Sequence, residues 1–352
     1  GREIGPRLQV AGNIVGWGGP YSITFALISE NDLSLYEQQF SDRVAQGTGE
    51  ELMDMYPEEL RVAINEYLDK GVDFLKYGGT SHWSFPTLIG FSPEAQRVIV
   101  DETHRRGLFA ETHSTNPEGL RLSVEAGIDL IQHPEVLAGR PMSDELVEQI
   151  RERGIICSML VNTITGPAWK KHLDDKAAAE ARLAGAGDTD EWGRLRRPVE
   201  RKKTTFELRR ERNELGTGTE MRRFNAEKLI AGGCIVTLGT DNYAGVAPEF
   251  ARSPKPIWQE PGIGTLLAIE GLVELGMTPG EAIVAATRNG AMAAQGLDDF
   301  GTIEPGKLAD LLLLDADPLS DISNVRSQSL VMKEGRVIDV SLLPTRPVMF
   351  RR

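Results

Sequence analysis

The stretch Leu108-Phe-Ala-Glu-Thr-His113-Ser-Thr-Asn-Pro117-Glu-Gly-Leu-Arg-Leu-Ser-Val-Glu-Ala126-Gly-Ile128-Asp-Leu-Ile-Gln-His133 contains one complete repeat of a fold. Leu108 to His113 reads as a short apolar strand, Pro117 to Ala126 as an amphipathic helix, and Ile128 to His133 as a second strand. Two strands joined through a helix pair in parallel, so the repeat is a βαβ unit. Both of its strands end in an imidazole.

The same rhythm runs outward in both directions. Towards the N-terminus, Arg7 to Ala11 and Val72 to Tyr77 read as strands, and Pro57 to Lys70 and Ser92 to Arg106 as helices. Towards the C-terminus, Ser143 to Arg153 reads as a helix, Ile155 to Leu160 and Ile235 to Asp241 as strands, and Gly262 to Leu275 and Pro279 to Leu297 as helices. The expected architecture is α/β, a (β/α)8 TIM barrel over residues 1–300 of which six of the eight strands lie in this chain. Residues 163–223 interrupt the rhythm with a charged, alanine-rich insertion holding Trp169 and Trp192. An insertion after a barrel strand lies at the active-site face, so it reads either as a lid or as an exposed helical hairpin or oligomer contact. From residue 301 to 352 the pattern changes to strands and turns, with Lys333-Glu-Gly-Arg336 as a hairpin turn, and predicts a small β-sandwich unit outside the barrel.

Composition excludes several classes. Of 352 residues, 39 are basic and 52 acidic, and a net charge of −13 argues against a nucleic-acid partner. No run of eighteen apolar residues spans a membrane. The basic cluster Arg194 to Lys203 lies beside acidic residues and reads as a solvated helix face. Two cysteines, Cys157 and Cys234, are too few for a disulfide framework or a cysteine-rich metal site, and read as buried thiols. The opening residues carry no initiator Met and no signal-peptide pattern, and a start like this says nothing about the precursor; the compartment stays open, with a cytoplasmic one favoured.

Four polar residues sit at the C-terminal ends of apolar strands, where a barrel presents its catalytic groups: Lys76, His113, His133 and Asp241. Singly, each has a plain structural alternative: a hydrogen-bonded histidine, a snorkelling lysine, a turn-capping aspartate. Together, two imidazoles and a carboxylate suit zinc or a similar divalent cation. A desolvated lysine is driven towards its neutral amine, which takes up carbon dioxide as an anionic carbamate able to bridge two metals. Tyr77, His82, Trp83, Arg140 and Tyr243 follow strand ends and are candidates for lining the pocket, Arg140 by pairing with a substrate carboxylate. His104 reads as a surface residue near a helix C-terminus, and His172 falls in the insertion.

Two stretches carry a family resemblance: Thr278-Pro-Gly-Glu-Ala-Ile-Val-Ala-Ala-Thr-Arg-Asn289 and Gly301-Thr-Ile-Glu-Pro-Gly-Lys-Leu-Ala-Asp-Leu-Leu312. The chain resembles amidohydrolase-superfamily enzymes related to imidazolonepropionase and to binuclear prolidase-like and Xaa-carboxypeptidase-like peptidases. The resemblance implies two divalent metal ions, zinc by expectation. Lys76 matches the carboxylated fourth-strand lysine, His113 and His133 the fifth- and sixth-strand ligands, and Asp241 the eighth-strand ligand and proton shuttle. It further implies hydrolysis of an amide or peptide-type C–N bond by a metal-bridging hydroxide, and a homo-oligomer. Two departures matter. The family's first strand carries a His-X-His pair, which this sequence lacks, so a second polypeptide or a missing N-terminal segment is expected to supply it. Mononuclear deaminases of the superfamily place a glutamate three residues after the fifth-strand histidine, whereas this chain has Asn116, which favours hydrolysis over deamination. The alternatives are a superfamily deaminase, an ester or lactone hydrolase, or a non-catalytic subunit.

Overall fold

A computed structural model describes residues 5–18, 39, 43–82, 87–185, 217–242 and 256–343. Within these, six strands form one all-parallel sheet in chain order: β1 (Ile14–Val15), β2 (Leu75–Gly78), β3 (Ala110–His113), β4 (Leu130–Gln132), β5 (Ile156–Met159) and β6 (Ile235–Leu238). The crossovers are α1 (Pro57–Leu68), α2 (Pro93–Arg105), α3 (Pro117–Ala126) and α4 (Asp144–Glu152), then α5 (Gly166–Gly185) within the insertion and α6 (Thr217–Ala231) leading out of it. Three further helices follow β6: α7 (Ile263–Glu274), α8 (Pro279–Ala286) and α9 (Arg288–Ala293). This is a partial (β/α)8 barrel, with β1 and β6 as the two edges of the sheet.

The helix starts follow the sequence signals. Ser92, Asn116 and Ser143 each accept the backbone N–H three residues on (Ala95, 3.1 Å; Gly119, 2.7 Å; Leu146, 3.2 Å), which satisfies one donor that the first helical turn leaves unpaired. Thr278 and Glu281 form a reciprocal capping box at α8. Between sheet and helices lies one continuous apolar layer, including Leu60 and Ile64 of α1, Ile99 of α2, Leu120 and Val124 of α3 and Ile150 of α4, all but fully buried. Truncating any one of the larger of these to alanine costs about 2–5 kcal/mol.

The first predicted strand is displaced. Arg7–Ala11 is not a strand, because Val10 exchanges its backbone bonds with Asp73 (N–H to Oδ2, 2.8 Å; Asp73 N–H to O, 2.9 Å) and Leu8 and Val10 are exposed. Gly12, at φ +72°, then turns the chain, and pairing begins at Ile14 opposite Lys76. The predicted helix Pro279–Leu297 breaks at Thr287 (φ −117°, ψ −82°) into α8 and α9. The tail contributes a three-stranded antiparallel sheet of β7 (Leu311–Leu314), β8 (Gln328–Lys333) and β9 (Arg336–Val337), with Glu334 and Gly335 both at positive φ in the expected hairpin turn.

Candidate metal centre

Strand alternation sorts the site. On β2, Leu75 and Tyr77 face the helix layer, leaving Lys76 and Gly78 for the barrel interior. Register places Lys76 beside Glu111 and Gly78 beside His113 on β3, and Glu111 and His113 beside Leu130 and Gln132 on β4. Gln132 Nε2 donates to Glu111 Oε2 (2.7 Å), so a buried polar layer underlies the barrel mouth. Tyr77, expected in the pocket, is instead fully buried behind the sheet, its hydroxyl donating to Gln96 Oε1 (3.0 Å) on α2. Period-two alternation forces that outcome once Lys76 points inward.

His133 and Asp241 break the alternation. Continued β geometry would send His133 outward with Ile131, but its φ of +42° turns the ring back over the strand ends. Its N–H holds Ser158 O at 2.7 Å across the sheet. Asp241 has φ +49°, three residues beyond β6, and is exposed at the mouth. Left-handed backbone at non-glycine residues is costly and collects at functional sites.

The result is an imidazole cluster. The rings of His113 and His133 lie 4.5 Å apart at 74°, and His82 lies 5.3 Å from His113. Trp17 covers the group, 4.5 Å from His113 and 5.0 Å from His82, with its indole N–H donating to Thr80 O (2.9 Å). A Cβ at Gly78 would come within 2.1 Å of Trp17 Nε1, so the inward position after Lys76 must be glycine.

Charge is disfavoured throughout the cluster. Burial is the main force that pushes His113 well below the ordinary histidine range, aided by His133, His82 and Lys76. Burial likewise holds His133 down at about 3, with Lys76 and Arg222 adding to it. Lys76 is lowered by burial against the opposing pull of Glu111 and Asp241. Burial raises Glu111 to about 7, despite the Gln132 hydrogen bond and Lys76. Two neutral imidazoles therefore present lone pairs, and His113 Nε2 and His133 Nδ1 are buried with no hydrogen-bond partner. That donor set, with an amine driven towards neutrality and a nearby carboxylate, fits a divalent cation taking nitrogen and oxygen ligands. Among the described residues, no three His, Cys, Asp or Glu side chains already close around one point.

Sequence reasoning treated His82 as a remote substrate contact and overlooked Trp17, Glu111 and Gln132, although Glu111 and Gln132 sit on the two histidine strands. Arg140 is exposed; its N–H donates to Leu137 O (2.8 Å) and its carbonyl accepts from Asn225 Nδ2 (2.9 Å). Trp83 and Tyr243, together with Trp192 and the basic cluster 194–203, lie outside the described residues. His104 pairs with Asp129 (2.8 Å) at the surface, as its position predicted. Asn116 is occupied as the cap of α3. A cavity of about 640 Å³ opens at the opposite end of the barrel between Phe109, Asp129, Arg153 and Gln295, away from the imidazoles.

The fold is a partial parallel barrel that carries two histidines, a lysine and an aspartate at its strand ends, where barrels present their functional groups. The profile of the Amidohydrolase family matches residues 9–338, and the chain belongs to that family. Among curated proteins it is similar to ochratoxinase of Aspergillus niger, 23% identical over 331 residues, covering 92% of this chain and 57% of the relative. It is also similar to imidazolonepropionase of Geobacillus sp. (strain WCH70), 26% identical over 254 residues, covering 70% of this chain and 44% of the relative. The chain thus spans about half the length of these relatives. Among solved structures, molinate hydrolase superposes with a TM-score of 0.77 at 27% identity, covering 99% of this chain and 70% of that one. Phenylurea hydrolase B gives 0.75 at 27% identity, covering 99% and 71%. No helix among the described residues is long and apolar enough to cross a membrane.

Proposed function

We propose that this chain forms the larger part of a hydrolase that cleaves an amide-type C–N bond. The observation that carries the reading is the pair His113 and His133, rings 4.5 Å apart, each with a buried ring nitrogen lacking a hydrogen-bond partner. Lys76, His113, His133 and Asp241 would hold two divalent cations, zinc by the chemistry of the donors. When bound, such cations activate water at neutral pH and polarise a carbonyl oxygen. A His-X-His pair, which this sequence lacks, would complete the ligand set.

The chain's own groups then have distinct tasks. Lys76 Nζ, held towards its uncharged form, attacks the carbon of carbon dioxide. The N–C bond forms as one C=O π bond of carbon dioxide opens onto oxygen, the displaced N–H proton passes to solvent water, and an anionic carbamate results. The Glu111–Gln132 pair beneath it fixes the floor of the pocket. Trp17 shields His113 from one side. The exposed Asp241 carboxylate accepts a proton from the attacking water and returns it to the leaving nitrogen. Asn116, committed to capping α3, leaves no carboxylate three residues after His113, which favours hydrolysis over deamination. The names of the structural neighbours, a phenylurea hydrolase among them, support ureas and amides as the first substrates to try.

The test combines metal analysis of the complete protein with hydrolysis of N-acyl amino acids, dipeptides, cyclic amides and ureas. Two metals per site, a carboxylated Lys76 and C–N cleavage lost in Asp241→Asn are expected. One metal with unmodified Lys76 would sink the binuclear reading, and release of ammonia from an aromatic amine would favour a deaminase.

A further inference from the structure

We propose that Arg222 forms an anion subsite at the barrel mouth that takes a carboxylate carried by the substrate. The inference rests on the hydrolase reading of the same site and names a substrate class for it.

Helix α6, returning from the insertion, is stitched to the loop after β4 by the fully buried Asn225. Asn225 Nδ2 donates to the carbonyls of Glu135 (3.1 Å) and Arg140 (2.9 Å), and its Oδ1 accepts from Met142 N–H (2.8 Å). Arg222 lies one turn earlier on the same helix face, and so over the ends of β4 and β5. Its Nη2 donates to Glu135 Oε1 (3.1 Å) and Thr163 Oγ1 (2.7 Å). Glu135 is itself fully buried, its Oε1 also accepting from Leu160 N–H (3.3 Å). The guanidinium is thereby pinned by residues following both strands.

Pinning leaves much of it unused. Among the described residues, both of its hydrogen bonds fall on Nη2, and Nε is buried with no partner. The side chain stays 22% exposed, and its charge is felt at His133, two residues from Glu135. A planar, pre-oriented guanidinium with idle N–H groups is suited to a carboxylate. Arg223, next along the helix, is already held by Glu227, Glu274 and the face of Trp169. Arg222 thus takes the part that the sequence reading assigned to Arg140.

The experiment is calorimetric binding to the complete, metal-loaded enzyme of N-acetyl amino acids and their primary amides, with glycine, proline and phenylalanine side chains. The wild type should prefer at least one acid over its amide. Arg222→Gln should weaken that acid by roughly 10–100-fold, the worth of a charge-assisted hydrogen bond, and leave the amide within about threefold. Arg222→Lys, which keeps the charge, should fall between and covers the case in which the glutamine variant does not fold. Acids bound no better than amides throughout, or both weakened equally by the substitution, would overturn the subsite and leave Arg222 a clamp. Arg222-dependent acid binding without C–N cleavage of any substrate would instead refute the hydrolase reading and leave the subsite standing.

Discussion

The two ends of the barrel treat the same residue types in opposite ways. At the floor, where the strands begin, polar groups are paired. Asp129 accepts from Ala110 N–H and from His104, both at 2.8 Å, while Gln295 accepts from Phe109 N–H (3.1 Å) and donates to Gly107 O (3.1 Å). At the mouth, His113 and His133 are packed together with idle nitrogens, two non-glycine residues take left-handed backbone, and burial works against the charged forms of His113, His133 and Lys76. A histidine at the floor is exposed and hydrogen-bonded to a carboxylate; a histidine at the mouth is buried with a ring nitrogen that has no partner. The difference separates residues that stabilise the barrel from residues that await a ligand.

Substitutions at the two ends should therefore diverge. His113→Ala or His133→Ala should lower metal content and activity by at least the roughly 10–100-fold that loss of a mere outer-shell partner costs, with melting of the metal-free protein little changed. Elemental analysis and rate measurements check this; unaltered metal content would erase the contrast. At the floor, Asp129→Ala strands the buried Ala110 N–H and should cost about 1–3 kcal/mol in denaturant unfolding, while kcat stays the same.

Acid should act on the mouth in a calculable direction. His113 and His133 are lowered in the fold, so the stability they contribute is complete above the unfolded value of about 6.5 and erodes as pH falls towards the folded values, about 3 for His133. Glu111 is raised to about 7, so its contribution moves oppositely, growing as pH falls from 7 towards 4.5. Two losses against one gain leave a net loss of stability as pH falls from 6.5 towards 5 in metal-free protein. Melts across that interval test it; a flat profile would mean that the imidazoles are not buried as bases. The smallest effect belongs to Tyr77→Phe. Removing its bond to Gln96 should cost about 0.5–1.5 kcal/mol and leave the KM for substrate untouched, whereas a changed KM would return Tyr77 to the pocket.

Much of this was legible in the sequence, and the gaps have physical reasons. The βα rhythm located five of the six strands because a doubly covered parallel sheet demands short apolar runs separated by amphipathic helices. It misplaced the first, since Leu8 and Val10 look like a strand but stand exposed, and the pairing begins after Gly12. It missed the break at Thr287, where nothing local ends the apolar spacing of Pro279 to Leu297. Lys76, His113, His133 and Asp241 were readable as strand-end groups. Tyr77 was misassigned because strand ends were read without alternation, which a neighbouring inward Lys76 already dictates.

Local sequence, then, determined which elements form and which polar residues end them, because periodicity, caps and turn chemistry act over a few residues. Only the tertiary structure brought His82 and Trp17 against His113, seated Glu111 under Lys76, and set Arg222 over Glu135 from a helix 87 residues further along the chain. Those contacts join segments distant in sequence, and barrel closure and register, which no single segment encodes, decide where their side chains meet.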